Sequence, residues 1–169
     1  MKGDQETNRL VDERDRLDQK LDELADLIHD AEQEEEDAPT EGIRREANEV
    51  AARGRGVAHL IEEYGSDAEI SVKGLNSGEY ARVDDKVAEI RQNKSGPVPG
   101  AYRNVFAAAG LVDAPFLDED ADFDDRQAAI SDQPVEVTKY LEARVNDLTT
   151  VSQGNWTPLR ERLEARRTE

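Results

Sequence analysis

The 169 residues contain no cysteine, which removes disulfides, thiolate nucleophiles and thiolate-bound zinc from consideration. Aromatic residues are scarce, with three Phe, four Tyr and one Trp. A core must therefore be built mainly from Leu, Val, Ile and Ala, and a large compact core is not expected. No run approaches the roughly 20 apolar residues that cross a bilayer, and the opening MKGDQETNRL carries no apolar signal segment. These absences predict a chain that does not enter membranes and that works in the cytoplasm of a cell or in a particle assembled there. The sequons at Asn93 and Asn155 then read as chance occurrences of a short pattern. There is no G-x-S-x-G, no P-loop, no H-E-x-x-H and no nucleophile with a base at hand, so neither an enzyme nor a bound cofactor is expected.

Acid is what the chain has in excess. Forty Asp and Glu face 22 Lys and Arg, a formal charge of −18. In dilute buffer such a charge repels itself and opposes compaction, whereas at molar salt the Debye length falls to about 3 Å and the repulsion largely vanishes. The bases are 16 Arg and six Lys. The acids are spread through periodic apolar segments instead of lying in one tail, so the pattern reads as a folded surface adapted to brine, as in salt-in halophiles, and not as a disordered acidic chain. Nucleic acid is not an expected partner, because phosphate binding needs clustered bases. The one local excess, Arg160, Arg162, Arg166 and Arg167, is interrupted by Glu161, Glu164 and Glu169.

Periodicity organises the first third. Leu10, Leu17, Leu21, Leu24, Ile28 and Ala31 recur at alternating four and three, with Arg14 in the vacant position, which is a coiled-coil seam. It predicts a helix over 6–32, stopped by the acidic run 32–37 and Ala38-Pro39. Thr40 is placed to cap a second helix with the seam Ile43, Ala47, Val50, Gly54, Val57, Ile61 and Tyr64, ended by Gly65-Ser66. Two matched seams and a short loop predict an antiparallel hairpin over 1–65, with Gly54 permitting close approach. A parallel homodimer is disfavoured because Glu13 and Asp18 would face their own copies, although a homo-oligomer of some kind remains open.

The remainder, 66–169, reads as a small mostly helical domain with at most a minor β element, making the fold class mainly α. Residues 68–73 alternate as a short strand. A helix capped by Ser77 carries Tyr80, Val83, Val87 and Ile90. A loop spans 93–100, and the apolar helix 101–111 should be buried. The acidic loop 113–125 leads to a short helix over 124–130. Pro134 at the first helical position opens a helix with the face Val137, Leu141, Val145 and Leu148, Tyr140 alongside. Residues 152–155 break it, and Thr157-Pro158 starts a terminal helix bearing Leu159 and Leu163. The alternating carboxylates from Asp118 resemble the start of a calcium loop, but its sharp turn falls on Phe123 and its closing position on Ala129, where glycine and glutamate are needed. His29 and His59 lie in different helices with no cysteine nearby and read as solvated residues. No metal is expected.

The second half resembles the tail assembly chaperones of long-tailed viruses. The likeness is carried by residues 70–80 (ISVKGLNSGEY), similar to a strand, turn and helix of that family; by residues 105–117 (VFAAAGLVDAPFL), similar to its apolar helix and following Pro-x-Leu; and by residues 134–155, similar to its final helix. The long hairpin is no part of that likeness. The resemblance implies a helical protein without a catalytic site that holds other tail proteins by its surfaces, here in a virus of a halophilic archaeon. The alternatives are a structural component of the mature particle, such as a tail or head-tail connector protein, and a cellular coiled-coil interaction protein. Apolar residues beside loops, Tyr102, Phe116, Leu117, Phe123 and Trp156, are the expected protein contacts, whereas Phe106 is expected to belong to the core. The charge generates a prediction: helicity by circular dichroism should rise, and unfolding become cooperative, as potassium chloride goes from dilute to molar. Indifference to salt would remove the brine reading.

Overall fold

A computed structural model describes residues 4–34, 39–94 and 100–149. It is mainly helical, with a small antiparallel sheet of three strands. The order is β1 (Gln5–Arg9), α1 (Leu10–Glu34), α2 (Glu41–Tyr64), β2 (Glu69–Lys73), α3 (Ser77–Gln92), α4 (Ala101–Gly110), β3 (Leu111–Asp113), α5 (Phe123–Ser131) and α6 (Val135–Thr149). The break expected at 152–155, the terminal helix, its basic cluster and Trp156 lie outside the described residues, as do most of the acidic run before Pro39 and most of the loop 93–100. No helix among the described residues is long and apolar enough to cross a membrane.

The hairpin forms, but from a different starting point. Residues 5–9 are a strand instead of the first turn of the predicted helix. They pair antiparallel with β2 from Gln5 opposite Lys73 to Arg9 opposite Glu69. The opposed hydroxyls of Thr7 and Ser71 bond at 2.6 Å, a cross-strand contact of the kind that holds a sheet pair together. The first amides of α1 have no partner in their own helix, and the loop before β2 supplies one: Leu10 N–H donates to Ala68 O at 2.9 Å and Val11 N–H to Ser66 O at 3.0 Å. Near the far end Arg44 pairs with Glu32, so α1 and α2 run antiparallel. Thr40 stands at the N-cap, yet its side chain bonds no helix amide; its hydroxyl accepts from Arg44 Nε at 3.2 Å. Gly65, at φ 93°, ends α2 in a conformation that costs glycine little.

The seam holds at Leu10, Leu17, Leu24, Val50 and Val57, all buried. Leu21, Ile43, Ala47 and Ile61 are half-buried against the core, Ile28 is half-buried, and Tyr64 is exposed. Arg14 is exposed as well. The residue that fills the seam between Leu10 and Leu17 is Glu13, at 2% exposure.

The third strand was not expected. Leu111, assigned from sequence to the end of α4, starts β3, which pairs with β2 through Ser71–Asp113 and Val72–Leu111 with an irregularity between them. Asn76, not Ser77, caps α3: its side chain accepts from Glu79 N–H at 3.0 Å while Glu79 returns a bond to the Asn76 amide at 3.0 Å, a capping box. Asp122 and Asp125 build the same device at α5. Pro134 precedes the first residue of α6, and its carbonyl accepts from Val137 and Thr138.

Helix α6 packs on α2, α4 and β2, and one hydrophobic cluster joins residues from the hairpin to Ile70, Val105, Leu111, Ile130, Leu141 and Val145. Glycine makes this approach possible at three places. A methyl group at Gly56 would overlap the Glu136 carbonyl, one at Gly74 the Leu148 carbonyl, and one at Gly110 the Val145 side chain. Gly54, expected to permit close approach, has nothing among the described residues within 4 Å of that position. The tight contact lies two residues along and faces α6, not α1. Gly54→Ala should therefore raise stability by up to about 1 kcal/mol through helix propensity, whereas Gly56→Ala should lower it by at least about 2 kcal/mol through overpacking. Urea unfolding in molar potassium chloride reads both, and equal effects would contradict this placement of α6.

Candidate functional site

Two polar constellations stand out, one inside the fold and one on its surface. The inner one begins with Glu13. Its Oε2 accepts from the Tyr140 hydroxyl at 2.9 Å and from Arg16 at 3.1 Å, and lies 3.2 Å from Arg144 Nε. That last contact is not aligned as a hydrogen bond and is held by charge. Arg144, itself buried, also donates to Glu6 of β1 at 2.5 Å and to Asp147 at 3.4 Å. Burial alone would lower the Arg144 pKa, but Glu13, Tyr140 and Glu6 together raise it. Burial, reinforced by the charge and hydrogen bond of Glu13, raises the Tyr140 pKa well above its ordinary value. The guanidinium balances the charge of the buried carboxylate and the phenol donates to it, and through Glu6 the group ties α1, β1 and α6 together.

The outer constellation is aromatic. Tyr102 stacks on Phe106 with ring centroids 5.8 Å apart, Tyr80 meets Phe106 edge-on at 5.8 Å, and the Tyr102 hydroxyl donates to the Tyr80 hydroxyl at 2.7 Å. Burial and the Tyr80 bond raise the Tyr102 pKa. These three rings line a cleft of about 330 Å³ together with Glu49, Arg53, Arg103, Lys139 and Glu142. Arg103 bonds Glu142 at 2.8 Å and Lys139 pairs with Glu49 at 3.8 Å. Aromatic faces rimmed by paired charges are suited to bury a side chain of a partner while the rim stays wet.

The expected contact residues do not form one surface. Tyr102 lies in this cleft, and Phe106 forms its floor while belonging to the core, at 3% exposure. Phe116 and Leu117 are half-buried against the core, with the Phe116 ring 6.4 Å from that of Tyr64. Phe123 opens α5 and lines a different cleft. Tyr80 shares a helical stripe with Val83, Val87 and Ile90 in the sequence, but it is 40% exposed. Its position three residues before Val83 hid this, because a period count cannot separate the centre of a stripe from its edge. Glu13 left no apolar signal at all. His29 is exposed and His59 half-buried, and among the described residues no three His, Cys, Asp or Glu gather as a metal ion would require.

Compared with protein-family models, curated proteins and solved structures, the chain matches none.

The inner group supplies a paired prediction. Tyr140→Phe should cost about 1.5–3 kcal/mol, the range for a hydrogen bond to a charged group. Because the folded Tyr140 pKa is raised, its contribution is complete below the unfolded value of about 10 and is lost as pH climbs through the folded value. Wild type and Tyr140→Phe should therefore converge in stability at alkaline pH. Glu13→Leu should cost about 3 kcal/mol by leaving the buried Tyr140 hydroxyl without its acceptor and Arg144 Nε without its facing carboxylate, and Arg144→Leu should cost less in that background than in the wild type. Additive losses in the double variant would show that the two residues do not act on each other.

Proposed function

We propose that this chain is a non-enzymatic, protein-binding chaperone or scaffold of viral tail assembly that works in concentrated salt. The observation that carries the protein-binding part is the group Tyr80, Tyr102 and Phe106, which lines a surface cleft inside a rim of charged pairs. Interfaces concentrate their energy in such aromatic anchors. Phe116, partly uncovered beside Tyr64, and Leu117 are proposed as a separate contact, and Trp156 is kept as a further candidate from the sequence. The setting in tail assembly rests on the resemblance of residues 70–80, 105–117 and 134–155, and the saline setting on the charge of −18. Work in the cytoplasm of the infected cell follows from the same reading, with no membrane, nucleic acid or cofactor involved.

The test is co-expression with the tail-tube and tape-measure proteins of a long-tailed virus of halophilic archaea, followed by affinity capture in molar potassium chloride. The wild type should retain one of them. The double variant Tyr80→Ala, Tyr102→Ala should retain at most a tenth as much, with a melting temperature only a few degrees lower. Undiminished capture by that variant would remove the cleft from the reading. A stoichiometric presence in purified particles would replace the chaperone by a structural component.

A further inference from the structure

A second cleft, of about 450 Å³, is lined by Lys73 of β2, by Glu79, Arg82, Val83 and Lys86 of α3, by Ala109 of α4 and by Phe123 and Arg126 of α5. It inverts the character of the chain. The molecule as a whole carries −18, yet four cations and a single carboxylate line this one hollow. We propose that it binds an acidic peptide segment of a partner protein, an apolar side chain seated on Val83, Ala109 and Phe123 and flanking carboxylates held by the surrounding bases.

The four bases are not equally occupied. Lys73 donates to Glu79 at 2.5 Å, a bond that lowers the Glu79 pKa and holds that pair together. Lys86 lies 3.6 Å from Glu89 and 3.5 Å from Asp124. Arg82 and Arg126 form no ion pair among the described residues, and the buried Nε of Arg126 has no hydrogen-bond partner there. A guanidinium in that condition is under-satisfied, and a carboxylate is the group its planar fork binds best alongside phosphate. The apolar floor decides between those two. Inorganic phosphate gains nothing from Val83, Ala109 and Phe123, and a nucleic acid needs a continuous basic track that this surface lacks. A peptide brings the apolar side chain and the carboxylates on one backbone. Glu89 and Asp124, paired with Lys86, disfavour a uniformly charged polyanion at that end of the cleft.

The inference goes beyond the aromatic cleft and needs no viral setting. Its probe is a short fluorescein-labelled peptide with aspartate and glutamate on both sides of a leucine and a phenylalanine, titrated against the full chain in molar potassium chloride and read by anisotropy. Saturable binding is expected, weakened at least ten-fold by Arg126→Glu and by Arg82→Glu. Arg45→Glu on the exposed face of α2 makes the same change in net charge and should alter affinity less than two-fold. Arg82 is exposed, so its variant keeps the test decisive if Arg126→Glu melts. Replacing the peptide's acids with lysine, or its two apolar residues with serine, should each abolish binding. No binding by the folded wild type would overturn the proposal, as would an equal loss in Arg45→Glu or equal binding of the lysine peptide. Displacement by inorganic phosphate at concentrations no higher than the peptide's would reassign the hollow to a small anion.

Discussion

A carboxylate taken out of water between helices has to be neutralised where it sits, and Glu13 imposes that condition on the fold. Besides Arg16 of its own helix, its partners come from α6: the Tyr140 hydroxyl at 2.9 Å and the Arg144 guanidinium at 3.2 Å. Since Arg144 also reaches Glu6, a single side chain of α6 fixes both the first strand and the first helix. The register of α6 is then constrained at close quarters by Gly56, Gly74 and Gly110, where its atoms lie too close for any side chain. Charge chooses the position of α6 and glycine lets it come near. Replacing the charged group by apolar residues would leave that face of the helix with hydrophobic contact, which is non-directional.

The helices were legible because burial on one face writes a period into the sequence. Leu17, Leu24, Val50, Val57, Val83, Val87, Val137, Leu141 and Val145 are all buried, and each lay on a predicted stripe. What periodicity could not show has a common cause: it depends on partners far away in sequence. The strand over 5–9 is exposed along most of its length and has no alternation; it exists because β2 offers it a ladder. The three residues of β3 are too few to carry a pattern. Glu13 interrupts an apolar seam and is legible only once Tyr140 and Arg144 are brought beside it. Gly54 and Gly56 are indistinguishable by composition, and only the position of α6 separates them.

The candidate surface followed the same division. Position beside loops drew attention to Tyr102 as a contact residue and left Phe106 to the core, where it is buried. That Tyr80 joins them, and that Phe123 stands apart beside Arg126, depends on how α3, α4 and α5 cross. The acidic loop yields its carboxylates to local work: Asp122 and Asp125 close the capping box of α5, while Asp124 pairs with Lys86. The capping box works within the first turn of α5, and the Asp124 pair joins α5 to α3.

The pairing of β1 with β2 bears on the order in which the structure can be assembled. These strands flank the entire hairpin, so joining them across an unstructured intervening chain would cost closure entropy that rises with the length of the loop. Once α1 and α2 lie antiparallel, Leu10 and Ala68 are already neighbours, and the strands meet almost without further loss of freedom. The pairing of β1 is thus conditional on the hairpin. Any substitution that frays the hairpin near the Arg44–Glu32 end leaves the strands joined, whereas one that opens it near Leu10 releases β1 and the Glu6 contact of α6 together.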